Sequence, residues 1–120
     1  MVFLVSNICF MNFDINYYLY ENFSHSFYYD IKKLRKQSIV ENDTSYILLV
    51  DNGYKIIDDN VVLKEVLYPP NTKISSKGVR LAFNNTGTLV GNVYTFIVGY
   101  KDNINEITIT PVSGRVLLKE

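Results

Sequence analysis

Tyr20-Glu21-Asn22-Phe23-Ser24-His25-Ser26-Phe27-Tyr28-Tyr29-Asp30-Ile31-Lys32-Lys33-Leu34 decides the fold. Tyr20, Phe23, Phe27, Ile31 and Leu34 recur at steps of three and four, the spacing that puts side chains on one stripe of an α-helix. Tyr17 and Ser38 continue the stripe at its ends, whereas Glu21, His25, Lys32 and Lys36 fall off it. No Pro or Gly occurs before Gly53, so nothing breaks the helix until the polar run Glu41-Asn42-Asp43-Thr44. The reading is one helix over 1–42 and a β-rich part over 43–120 of the same single domain. That is an α+β fold, a long N-terminal helix packed against a small antiparallel β-sheet.

A chain of 120 residues is enough for one modest core and not for two. Twelve basic and twelve acidic residues cancel, which removes a global basic field for nucleic acid. Nucleic acid is therefore not the expected partner. The single Cys9 cannot form an internal disulfide. Charge is unevenly placed: residues 1–31 hold Asp14, Glu21 and Asp30 without a cation, and then Lys32, Lys33, Arg35 and Lys36 follow. Cations there suit the C-terminal half of a helix, and the reading is a solvated face.

Residues 1–13 are uncharged and mostly apolar, with Val2, Phe3, Leu4, Val5, Ile8, Phe10 and Phe13. A spanning helix needs about 20 apolar residues, so this run does not cross a bilayer alone. It reads as a buried core helix, an interfacial anchor, or the remnant of a membrane helix that starts upstream of Met1. A continuous helix of about 40 residues measures about 60 Å, more than so small a sheet covers. Its N-terminal half, with Phe10 and Phe13, is expected to bury itself in lipid or against other subunits.

Beyond the helix, Tyr46-Ile47-Leu48-Leu49-Val50 and Tyr54-Lys55-Ile56-Ile57 flank the hairpin signal Asp51-Asn52-Gly53, where Asn-Gly readily takes positive φ. Asp58-Asp59-Asn60 turns into Val61-Val62-Leu63-Lys64-Glu65-Val66-Leu67, and Tyr68-Pro69-Pro70-Asn71 stops pairing there. Val79-Arg80-Leu81-Ala82-Phe83, Val93-Tyr94-Thr95-Phe96-Ile97-Val98, Glu106-Ile107-Thr108-Ile109-Thr110 and Arg115-Val116-Leu117-Leu118 are further strands. Asn84-Asn85-Thr86-Gly87 and Lys101-Asp102-Asn103-Ile104-Asn105 read as turns between them.

The order of these segments resembles the H-type minor pseudopilins of type II secretion systems and the related minor pilins of type IV pili. The resemblance covers roughly residues 20–119. It rests on the helix end Asp30-Ile31-Lys32-Lys33-Leu34-Arg35-Lys36-Gln37-Ser38-Ile39, the strand Tyr54-Lys55-Ile56, the turn Leu67-Tyr68-Pro69-Pro70 and the pair Leu81-Ala82-Phe83-Asn84-Asn85-Thr86-Gly87. A final strand, Ile107-Thr108-Ile109-Thr110-Pro111-Val112-Ser113-Gly114-Arg115-Val116, completes it. Phe83, Gly87, Gly114 and Arg115 are the family-like turn and strand positions. The cleavage motif and early glutamate that mark the family are missing from this sequence.

The resemblance implies a non-enzymatic filament subunit, of a type IV pilus-like or a type II secretion or competence filament. Other pilin or pseudopilin subunits are its implied partners, together with the membrane through the N-terminal helix. It would sit in the cell membrane, single-pass if the upstream helix exists, and in a cell-surface filament. Helix packing and assembly fall to Phe10, Phe13, Tyr20, Phe23, Phe27, Ile31 and Leu34. The alternative is a soluble β-rich binding module with the N-terminal helix folded onto the sheet.

No cofactor, metal or catalytic set is expected. His25 has no Ser–His–acid set around it. Asp51, Asp58 and Asp59 lack the spacing of a calcium loop and read as turn caps. Gly87 and Gly91 precede no helix, so they are turn glycines. Lys73, Lys77 and Arg80 read as a solvated basic strand edge.

Overall fold

The computed structural model describes residues 14–120 except 43, 77, 92 and 112. A helix, α1 (Ile15–Glu41), lies across two antiparallel sheets. Asp14 starts it, its Oδ1 accepting from the backbone N–H groups of Asn16 at 3.1 Å and Tyr17 at 3.3 Å. Those groups have no partner inside a helix, which is why a short carboxylate caps well. Asn42 ends the helix in the left-handed region, φ 53°, and its N–H donates to the Gln37 carbonyl.

Among the described residues nine strands follow: β1 (Tyr46–Val50), β2 (Gly53–Asp58), β3 (Val61–Leu67), β4 (Thr72–Ile74), β5 (Arg80–Phe83), β6 (Leu89–Val90), β7 (Thr95–Tyr100), β8 (Asn103–Ile109) and β9 (Val116–Lys119). The sequence pointed to one small sheet; the strands form two, ordered β3-β2-β1-β5-β6 and β4-β7-β8-β9. Pro69 and Pro70 lack donors, so β3 ends at Leu67 and the chain re-enters pairing as β4 beside β7. The β2–β3 turn has positive φ at both Asp59 and Asn60, the type that matches strand twist. In the β1–β2 hairpin the turn is Asp51-Asn52, and Gly53 already pairs with Val50. The expected turn over 101–105 shrinks to Lys101-Asp102, since Tyr100 pairs with Asn103 and Val98 with Asn105.

The helix stripe and the inner faces of both sheets make the core. Phe27 is fully buried, its ring 5.0 Å from that of Tyr54 on β2 and 6.1 Å from that of Phe96 on β7. One helical side chain thus joins the two sheets. Tyr20, Phe23, Ile31 and Leu34 are buried beside it, with Ile47, Leu49, Leu81, Val98, Ile107 and Ile109 beneath. Alternation within the strands produces this: Ile107 and Ile109 point inward and Thr108 between them is half-buried. Ser38 joins the stripe at its C-terminal end, its hydroxyl donating to the Leu34 carbonyl at 3.0 Å, whereas Tyr17 at the other end is 40% exposed.

Candidate functional site

Among the described residues, polar contacts hold the helix to the rest of the domain from one end to the other, and four of them reach the strands and their loops as follows. At the start, the Tyr100 hydroxyl donates to Asp14 Oδ2 at 2.9 Å. That bond first, aided by the capped N–H groups, holds the Asp14 carboxyl below its ordinary pKa although burial opposes the shift. Further on, the buried Asn105 amide donates to Glu21 Oε1 at 2.8 Å.

Mid-helix, Asp30 takes the Tyr54 hydroxyl at 2.5 Å and the Lys64 ammonium at 2.8 and 3.0 Å. Burial, and then the hydrogen bond to Asp30, push the Tyr54 phenol far above its usual range. A cleft of about 290 Å³ opens beside this network between the helix and the β2–β3 hairpin.

The last clamp gathers the turns. Arg35 Nε donates to the Gly87 carbonyl at 3.0 Å and an Nη to the Ser113 carbonyl at 2.8 Å. The sequence placed Arg35 on a solvated face, and the structure corrects this: the guanidinium satisfies carbonyls of two loops. Asn84 shapes the first loop, its Oδ1 accepting from the N–H groups of Thr86 and Thr88 and from the Thr86 hydroxyl. The second loop closes when the Gly114 N–H donates to the Thr110 carbonyl at 2.7 Å. A Cβ at Gly114 would lie 1.7 Å from the Gly87 carbonyl oxygen, and its φ of +70° also favours glycine.

The family-like positions therefore divide. Gly87 and Gly114 meet, Phe83 is buried in the core, and Arg115 is exposed. Of the helix positions, Tyr20, Phe23, Phe27, Ile31 and Leu34 pack inside the domain. Phe10 and Phe13 lie outside the described residues. Among the described residues, no helix is long and apolar enough to cross a membrane.

The basic groups are dispersed. Arg80 lies over the Tyr46 ring at 3.9 Å, Lys73 stands on β4 of the other sheet, and Lys77 lies outside the described residues. Asp51 and Asp59 are exposed in their turns, and Asp58 ends β2 half-buried.

Opposite the core stripe, the outer face of α1 is open. Ile15, Tyr18, Asn22, Ser26, Tyr29, Lys33, Lys36 and Val40 follow one another at helical steps, and all are exposed. Tyr29 at 60% and Val40 at 69% are the most open large apolar side chains on the helix. Around them Lys32, Lys33, Lys36 and Ile39 line a shallow cleft of about 560 Å³. This face pairs apolar contact area with cations, a combination suited to binding.

No protein-family profile and no curated protein matches the chain. Solved structures do. Two crystal forms of the type IV minor pilin FimU of Pseudomonas aeruginosa superimpose with TM-scores of 0.63 and 0.65 at 16% and 17% identity. Each alignment covers 83% of this chain, and 92% and 87% of the respective FimU chains. The two sheets under one long N-terminal helix are a pilin-like α+β fold.

Proposed function

We propose that this chain is a non-enzymatic minor subunit of a type IV pilus-like, type II secretion or competence filament. The observation that carries the reading is a pilin-like fold whose helix is clamped inward along its length and presents an apolar, cationic stripe outward. In this reading residues 1–13, with Phe10 and Phe13, extend the helix into the membrane before assembly and into the helical bundle of the filament afterwards. The outer stripe of α1 meets neighbouring subunits, and the sheets face the surroundings.

Complementation of a deletion strain tests this. Deletion should impair filament formation, or the secretion or uptake that depends on it, and the intact gene should restore it. Phe10→Asp should behave like the deletion at equal expression, because a carboxylate in the middle of a membrane helix costs about 2.5–3.5 kcal/mol. Full rescue by Phe10→Asp would favour the soluble binding module.

A further inference from the structure

The end of β9 returns to the first half of α1, and three side chains with metal-binding atoms meet there. Glu21 and His25 stand one turn apart on the helix, both half-buried, and the exposed Glu120 follows β9. The ligand atoms of all three lie within 4.8 Å of one another. His25 Nε2 and Glu120 Oε2 are 2.6 Å apart. We propose that Glu21, His25 and Glu120 form a binding site for a zinc-class divalent ion that fastens the last strand to the helix.

The geometry is close to what such an ion needs. Bonds of about 2.0–2.2 Å to nitrogen and oxygen put tetrahedral ligands about 3.3 Å apart. The present spacing brackets that value, and rotation of two flexible glutamate side chains closes the difference. One imidazole nitrogen with two carboxylate oxygens suits zinc-like ions, whereas calcium takes oxygen ligands alone.

A buried group behind the cluster points the same way. Asn105, 3% exposed, donates to Glu21 Oε1 at 2.8 Å, the kind of outer hydrogen bond that orients a ligating carboxylate. The consequence is a fold whose last strand is further stabilised by the metal, since an ion held only by the folded chain stabilises it by mass action.

The experiment uses the full chain, purified without a polyhistidine tag in mild detergent and stripped with a chelator. It is titrated with zinc chloride by calorimetry and with cobalt chloride by visible absorption. One ion per chain, a higher Tm with zinc and tetrahedral cobalt bands are expected. His25→Ala and Glu120→Gln should each weaken binding by at least about tenfold and abolish the bands, with unchanged circular dichroism. Asp59→Asn, in a distant turn, should bind as the wild type does, and calcium should leave Tm unmoved. Absence of zinc binding by the wild type would overturn the site. So would binding that survives intact in both His25→Ala and Glu120→Gln.

Discussion

Arg35 donates to the carbonyl of Gly87, 52 residues away, at the point where Gly114 leaves no room for a side chain. Helix, β5–β6 turn and β8–β9 loop are thereby fixed to one another. Gly114→Ala forces a Cβ to within 1.7 Å of that carbonyl oxygen and strains a φ of +70°, so the loops must separate. A loss of about 2–4 kcal/mol in urea denaturation is expected, in the upper range for single substitutions. Arg35→Lys should lose about 1–2 kcal/mol, since one ammonium cannot reproduce a planar fork aimed at two carbonyls.

Phe27 bridges Tyr54 and Phe96, so its removal opens both sheets at once. Phe27→Ala should cost about 3–5 kcal/mol and Leu34→Ala about 2–5 kcal/mol. Lys36→Ala, on the exposed face, should change stability by less than about 0.5 kcal/mol. Chemical denaturation of the three variants checks this, and equal losses would mean that the helix is turned the other way.

The helix stripe was legible because its period is local: Tyr20, Phe23, Phe27, Ile31 and Leu34 announce a face without reference to any other part of the chain. The hairpins were legible for the same reason. The division into two sheets was not, because it depends on β1 choosing β5 as its second neighbour, across the intervening β2–β4. Strands as short as Thr72–Ile74 and Leu89–Val90 carry too few residues to show alternation. Arg35 looked like its lysine neighbours because its partners, Gly87 and Ser113, are 52 and 78 residues distant. Asn105 read as a turn residue because a polar side chain in a buried strand position makes sense only once Glu21 stands beside it.

Acid should loosen the start of the helix. The Asp14 carboxyl has a folded-state pKa below its reference of 3.8, so it stabilises the fold above that value. The contribution is lost as pH falls through the lower folded-state value. Asp14→Asn should therefore lower Tm at pH 7 and narrow its difference from wild type below about pH 3.8, as thermal melts across pH would show.

Base should act through Tyr54. Its folded-state pKa is raised above the reference of 10.0, so stability is complete below that pH and declines as pH rises beyond it. Tyr54→Phe removes the titrating group and should flatten this alkaline decline. At pH 7 it should cost about 0.5–1.5 kcal/mol, the net value of one hydrogen bond, because Lys64 still neutralises Asp30. Asp30→Ala should cost more, about 1–3 kcal/mol, since it leaves the Tyr54 hydroxyl unpaired. Denaturation at pH 7 and pH 11 separates the two effects.

Substitutions on the outer stripe of α1 test the proposed assembly surface separately from folding. Tyr29 and Val40 are 60% and 69% exposed and lie outside the buried core. Tyr29→Glu and Val40→Glu should each leave stability within about 0.5 kcal/mol of wild type, as surface changes do. In a filament the same carboxylates would be pressed, without solvent, against a neighbouring helix, where an unpaired charge is costly. Both variants should therefore fail to restore the phenotype of a deletion strain while accumulating to normal levels. Lys36→Ala serves as the matched control, because it removes a charge without burying one. Normal function from both glutamate variants would take this face out of assembly and leave the β-strands as the remaining surface for subunit contacts.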